Sequence, residues 1–280
     1  MAAAPIRIFS DIHFGDRLSQ VTSLAQLTPL LQGVSRVILN GDTIDTRPGG
    51  DPALTRAWRA KAAAFAAASP APLTFLTGNH DPDCSGQHAL ELAGGRVFLT
   101  HGDVIFDNIV PWGRDAGPIR ARLSAALAAL PAGGRGDLDA RLRTYRQVAA
   151  GVRQRHQAER NFWRYHLRLA HDTIWPPYRL WRIPWAWLVA PGRTAALLRR
   201  HRPDARFILV GHTHRPGIWR RHGLTVINTG SFTRPWGAFA VDLGPDELVV
   251  RRIERREGRF HPGAVRARLA LGGGRSSART

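Results

Sequence analysis

Five short, β-prone runs in this chain each break at their carboxyl end into a cluster of Asp, Asn or His. Ile6-Arg7-Ile8-Phe9 leads into Asp11-Ile12-His13, and Val37-Ile38-Leu39-Asn40 into Gly41-Asp42-Thr43-Ile44-Asp45. Leu73-Thr74-Phe75-Leu76 precedes Gly78-Asn79-His80-Asp81, and Val97-Phe98-Leu99 precedes His101-Gly102-Asp103. Phe207-Ile208-Leu209-Val210 ends in Gly211-His212-Thr213-His214. Short apolar runs of this kind read as buried strands, and open α/β folds build their sites beyond the carboxyl ends of such strands. The pattern predicts an α/β chain whose strand ends gather carboxylates, an amide and imidazoles at one edge.

Each cluster alone is a weak signal, and the chemistry lies in the set. Asp11 and His13 share a face if the backbone stays extended, so one carboxylate and one imidazole can reach the same ion. Gly41 permits the tight turn that brings Asp42 close to an ion, and Asp45 can steady the loop or a ligand from behind. Asn79 is either a plain left-handed turn residue or an amide oxygen wanted at the site. Cys84, the only cysteine, has no base beside it in sequence and reads as a structural thiol. It also rules out an intramolecular disulfide.

Between these clusters, Leu24, Leu27, Leu30 and Leu31 repeat at helical spacing. Asp51-Pro52 is a helix start, with a capping carboxylate and proline in the first turn, for an Ala-rich helix ending near Ser69-Pro70. A further helix is expected over 85–93. From 107 to 206 strand signals vanish, and Leu138, Leu142, Tyr145, Ala149 and Val152, continued by Ala158, Phe162, Tyr165 and Leu169, predict one long helix or two collinear ones. After the last cluster, Leu224–Ile227, Ala238–Val241 and Leu248–Val250 are strands, joined closely enough to suggest antiparallel pairing. The expected organisation is a core of 1–106 and 207–260, a helical insertion or lid over 107–206, and a disordered basic tail over 261–280.

The net charge of +19 raises the question of a polyanionic partner, an anionic membrane surface or nucleic acid. The 107–206 segment concentrates both that charge and the aromatic residues, with 19 arginines against 7 acidic residues and 6 of the 9 tryptophans. Its stretch from Trp175 to Val189 interleaves Trp, Tyr and Arg, the composition of an interfacial anchor. It is too interrupted by proline and arginine to span a bilayer, and a Trp-rich flap folded onto the body is the competing reading. The N-terminus lacks the features of a signal peptide, so the expected location is cytoplasmic, peripheral at the inner membrane surface if the anchor reading holds.

Taken in order, the five clusters resemble those of the calcineurin-like metallophosphoesterases, with Asn228-Thr229-Gly230-Ser231 matching a further strand-end feature. The resemblance implies a two-sheet αββα sandwich with a helical insertion and a site for two divalent metal ions, manganese first, with iron, zinc or nickel as alternatives. It implies that Asp11, His13, Asp42 and His214 hold one ion and Asp42, Asn79, His101 and His212 the other. It implies a catalytic role for His80 at the leaving oxygen, with Asp81 orienting it. Within the family the chain is similar to the UDP-2,3-diacylglucosamine hydrolases in length, in His101-Gly102-Asp103 and in a long helical insertion, but has His80 where those carry arginine. The expected reaction is hydrolysis of a phosphodiester, pyrophosphate or phosphomonoester in a phosphorylated, lipid-linked substrate. A nuclease or nucleotide phosphodiesterase is the alternative, and a non-catalytic scaffold would be expected to have lost ligands that are all present here.

Overall fold

The computed structural model describes residues 3–46, 51–152, 161, 163–164, 166–167, 170–171, 175 and 177–272. Its strands form two mixed sheets. The first contains β1 (Ile6–Phe9), β2 (Arg36–Asn40), β3 (Leu73–Leu76), β9 (Phe239–Leu243), β10 (Glu247–Arg256) and β11 (Arg259–Ala270), in the order β11-β10-β9-β1-β2-β3. The second contains β4 (Ala89–Leu92), β5 (Val97–Thr100), β6 (Phe207–Val210), β7 (Gly217–Arg221) and β8 (Leu224–Asn228), in the order β4-β5-β6-β8-β7. β1, β2 and β3 are mutually parallel, as are β5, β6 and β8. All five cluster-bearing strands therefore end on the same side of their sheets.

Strand alternation builds the layers. Ile8, Ile38, Leu76, Val97, Leu99, Phe207 and Leu209 fill the space between the sheets. Phe9, Val37 and Leu39 point outward from the first sheet onto Leu24, Leu27, Leu30 and Leu31 of a 3₁₀ helix (Leu24–Leu31) and onto α1 (Pro52–Ala67). Asp51 caps α1 as its sequence predicts, accepting from the Ala53 amide at 2.9 Å. The opposite face of the second sheet, with Phe98, Ile208, Val210 and Val226, is covered by α2 (Ala116–Ala128), α4 (Leu138–Ala150) and α5 (Arg182–His201), through Ile119, Leu123, Leu142, Tyr145, Ala195 and Leu198. A one-turn helix, α3 (Ala132–Arg135), joins α2 to α4. The 107–206 segment thus supplies the fourth layer of the sandwich, so that much of it is body.

Several local expectations are corrected. Residues 85–93 contain a strand, β4, antiparallel to β5, because edge pairing overrides the helix propensity of Ala-Leu-Glu-Leu. The tail is ordered through Leu271: β11 pairs along β10, Ala267 and Leu269 pack against the core, and Leu271 is buried. Its arginines alternate with small and apolar residues, and only the latter face inward. β7, antiparallel to β8, was not foreseen. α4 stops at Ala150, and the expected continuation through Ala158, Phe162, Tyr165 and Leu169 lies outside the described residues, as do 273–280.

Candidate metal centre

At the ends of β1, β2 and β6 the backbone must turn at once if the side chain is to face the gap between the sheets. It does so through left-handed residues: φ is 54° at Asp11, 50° at His13, 51° at Asp42, 66° at His212 and 57° at His214. These are five of the nine described non-glycine residues with positive φ, a conformation that costs of order 1–3 kcal/mol each and persists where its surroundings enforce it. Two glycines let the loops meet. A Cβ at Gly78 would overlap the Asp42 carboxylate, and one at Gly211 would overlap that of Asp11.

The donor atoms then converge. His13 Nε2 lies 3.1 Å from His214 Nε2, and Asp11 Oδ1 lies 3.3 Å from the latter. Asp42 Oδ2 is 3.1 Å from His101 Nε2 and 3.8 Å from His13 Nε2, so one carboxylate oxygen reaches both halves of the site. Asn79 Oδ1 is 3.1 Å from His101 Nε2 and 2.8 Å from His212 Nδ1. The structure therefore brings together all seven residues expected as ligands: Asp11, His13, Asp42, Asn79, His101, His212 and His214. The turn residue Asn79 presents its oxygen inward, while its buried Nδ2 has no hydrogen-bond partner.

Outer partners orient the rings. His101 Nδ1 donates to the Asn40 carbonyl at 3.2 Å, and His212 Nε2 to the Ile109 carbonyl at 2.8 Å. Ile109, a β-branched residue at φ 59°, had no sequence signal for this role. Burial holds His212 neutral, its pKa pushed down to about 4 with help from the charge on His101. With Nε2 committed as donor, His212 Nδ1 is an unshared pair facing the oxygen of Asn79, two acceptors that call for a cation. Burial disfavours charge on His13 and His101 too, but the Asp11 hydrogen bond and the Asp42 charge raise the first to about 9, and Asp42 raises the second to about 10. Burial likewise opposes ionisation of Asp11 and Asp42, and the imidazoles overcome it to hold both carboxyls well below the usual range. The all-oxygen-and-imidazole donor set, with two buried carboxylates held ionised among imidazoles, fits divalent cations of borderline hardness.

His80 stands beside this set, its ring edge-on to His13 at 4.6 Å between centroids. Asp45, not Asp81, orients it: His80 Nδ1 lies 3.1 Å from Asp45 Oδ2. The Asp81 carboxylate turns the other way and accepts from the amides of Gly78, Asp42, Thr43 and Ile44 at 2.7–3.3 Å. Asp81 is thus a brace joining two ligand loops. Burial and then the Asp42 charge push its carboxyl up to about 7 against those four donors. Ser10, Thr229 and Ser231 were also missed individually. Ser10 bonds the Asp11 carboxylate and Thr229, and Ser231 donates to the Asp11 carbonyl at 3.1 Å. The signal that could have found them was the strand-end run Asn228-Thr229-Gly230-Ser231. Cys84 Sγ sits 3.6 Å from the Leu76 carbonyl, and burial pushes its thiol up, as befits a structural residue.

The helical segment grips the same loops. Arg146 of α4 forms a buried ion pair with Asp103, two residues beyond His101. Trp187 of α5 donates its indole N–H to the Thr213 carbonyl, between His212 and His214, at 2.9 Å. Phe106 and Trp112 place their rings 6.0 and 5.5 Å from that of His212.

Among solved structures, a conserved protein of Streptococcus pneumoniae described as a predicted phosphoesterase is 14% identical, with 96% of this chain and 99% of that one covered at a TM-score of 0.40. Vps29 from Chaetomium thermophilum is 13% identical, covering 97% and 100% at 0.44. Wild-type Vps29 from Entamoeba histolytica, solved with zinc, is 13% identical, covering 96% and 99% at 0.41. No curated protein sequence matches the chain. The calcineurin-like phosphoesterase profile matches residues 4–216, which span β1 to the His212-Thr213-His214 loop and all seven residues that converge there, and the chain belongs to that family of hydrolases acting on phosphate esters.

Proposed function

We propose that the chain is a two-metal phosphoesterase that cleaves a phosphodiester, pyrophosphate or phosphomonoester bond in an amphiphilic, UDP-diacylglucosamine-like substrate at a membrane surface. The observation that carries the reaction is the Asp42 carboxylate set between two groups of ligands. Asp11, His13, Asp42 and His214 would hold one divalent ion and Asp42, Asn79, His101 and His212 the other, with manganese as the native metal. Bound there, the ions supply Lewis acidity at the phosphoryl oxygens and a nucleophile at neutral pH. His80, held through Nδ1 by Asp45, delivers a proton from Nε2 to the leaving oxygen. Ile109 and Asn40 keep His212 and His101 in the tautomers that direct a lone pair inward.

Support for the amphiphilic substrate comes from the start of α5, where Trp181 (77% exposed) and Leu188 (75%) stand on the surface among arginines. Among the described residues no helix is long and apolar enough to cross a membrane. Attachment through such a surface would be peripheral, on the cytoplasmic face, with anionic headgroups as partner. The alternative is a nuclease or nucleotide phosphodiesterase, favoured by the arginine surplus alone.

The test is a manganese-supplemented panel of nucleoside-diphosphate lipids, phospholipid headgroups, cyclic dinucleotides and single-stranded DNA, with Asp42→Asn as control. Turnover of a lipid-linked pyrophosphate that Asp42→Asn lacks is expected. Turnover of DNA alone would transfer the function to the alternative, and equal inactivity of both proteins on every compound would sink the enzyme reading. For the membrane, Trp181→Ser with Leu188→Ser should release the protein from anionic vesicles.

A further inference from the structure

A cavity of about 480 Å³ opens between the loop after β5, α2 and α5, lined by Phe106, Asp107, Arg120, Arg182, Trp185 and Arg193 among others. Its walls carry three guanidiniums and one carboxylate. Arg120 Nε lies 3.1 Å from Asp107 Oδ2, and Arg182 Nη1 donates to the Pro111 carbonyl at 3.3 Å. Arg193 is held differently. Its guanidinium carbon lies 5.0 Å from the Trp185 ring centre and 5.7 Å from that of Phe106, and it has no hydrogen bond or ion pair among the described residues. Stacking fixes a guanidinium while leaving its in-plane N–H groups for a planar or tetrahedral oxyanion.

The cavity shares its Phe106 wall with the metal centre. The Phe106 ring that meets Arg193 also lies 6.0 Å from the His212 ring, so guanidinium and imidazole are separated by at most the sum of those two spans. A nucleoside- or sugar-sized unit is long enough to cover even the upper bound of that separation. Three guanidiniums against one carboxylate in the lining favour a dianion such as a phosphomonoester at neutral pH, and half-exposed Trp185, which carries the Arg193 guanidinium over its ring, adds an aromatic surface beside that charge.

We propose that this cavity is a second anion subsite, which binds a phosphate dianion carried on a flat ring, apart from the phosphorus that reacts. Its place in catalysis rests on the phosphoesterase reading, whereas its binding chemistry does not. The test is calorimetric titration of phenyl phosphate into the full chain after metal removal. Benzenesulfonate serves as the monoanion of similar shape and glycerol 3-phosphate as the ringless phosphate. Phenyl phosphate should bind tightest. Arg193→Gln should weaken it roughly tenfold or more, the loss of a charge-assisted contact, and Arg193→Lys should fall between, since it keeps the charge without the planar fork. Asp107→Asn should tighten binding by removing the opposing carboxylate. Wild-type affinity in both Arg193→Gln and Asp107→Asn, or equal affinity for all three probes, would overturn the proposal. So would binding abolished by His101→Ala but not by Arg193→Gln, which would place the probe on the imidazoles of the metal centre. Manganese-dependent hydrolysis of bis(4-nitrophenyl) phosphate by the wild type, measured in parallel, judges the phosphoesterase reading separately.

Discussion

Replacing Arg146 with Met should destabilise the protein by about 3–5 kcal/mol at pH 7, the cost of leaving a buried charge without its partner. Arg146 is 3% exposed and Asp103 fully buried. Their single contact runs from Arg146 Nη2 to Asp103 Oδ1, and Asp103 Oδ2 with Arg146 Nε and Nη1 have no hydrogen-bond partner. So sparsely satisfied a pair adds little beyond what well-packed apolar side chains of the same volume would. The double variant Asp103→Leu/Arg146→Met should therefore recover most of the loss, as apolar replacement of buried ion pairs commonly does. Burial opposes ionisation of Asp103, and Arg146 overcomes it to hold the carboxyl below its usual range. The stability this adds is present above the unfolded pKa and is lost as pH falls through the folded one. In Arg146→Met the buried Asp103 carboxyl keeps its desolvation without its partner and is pushed up instead, so the deficit should be full at pH 7 and shrink on acidification to pH 4.5, as the variant's Asp103 takes up a proton. Urea unfolding of the three proteins at pH 7 and at pH 4.5 measures this. A single-variant loss below about 1 kcal/mol, or a double variant as unstable as the single, would refute the reasoning. Because Asp103 follows His101 by two residues, the single variant should also bind manganese more weakly.

Removal of metal should reverse the pH dependence of stability. In the metal-free protein His13 and His101 titrate at about 9 and 10, above the ordinary value of 6.5, so their contribution is complete below pH 6.5 and disappears as pH rises through 9–10. The melting temperature in chelator should fall over that range, while with manganese, which must displace those protons, it should not. Proton release on manganese binding at pH 7.5, read by calorimetry in buffers of different ionisation enthalpy, checks the same point. Asp45→Asn should lower kcat most for esters with poor leaving groups, since it removes the carboxylate that holds His80 Nδ1. Asp81→Asn, which puts an amide N–H among four backbone donors, should cost stability and metal affinity with no such leaving-group dependence. Tyr145→Phe removes a buried hydroxyl that donates to the Phe106 carbonyl at 2.8 Å and accepts from Arg141, and should cost about 1–2 kcal/mol in urea unfolding.

All seven residues that converge at the candidate metal centre were legible in the sequence because the information that places them is local. A β-prone run ends, a glycine or left-handed residue turns the chain, and an Asp, Asn or His follows within two or three positions. Parallel strands then need no further instruction to put those ends side by side. Asp45 and Asp81 show where local reading stops. Asp81 is adjacent to His80 in sequence, yet the turn that exposes the His80 ring sends the Asp81 carboxylate back under the loop, to the amides of Asp42, Thr43 and Ile44. Asp45, thirty-five residues from His80, is the carboxylate that touches it. Sequence adjacency says nothing of side-chain direction within a turn, where neighbouring side chains leave the backbone on different sides.

The same distinction separates core from periphery. The residue types gathered at the candidate site and the parallel halves of both sheets follow from the sequence, because strand periodicity and turn residues act over a few positions. Tertiary structure alone decided that β4 and β11 are strands, since each owes its conformation to hydrogen bonds from a neighbour and not to its own composition. It also decided that α2, α4 and α5 belong to the body. Their apolar faces are visible in the sequence, but only the second sheet, with Phe98, Ile208 and Val210 waiting on its outer side, shows what those faces bury against.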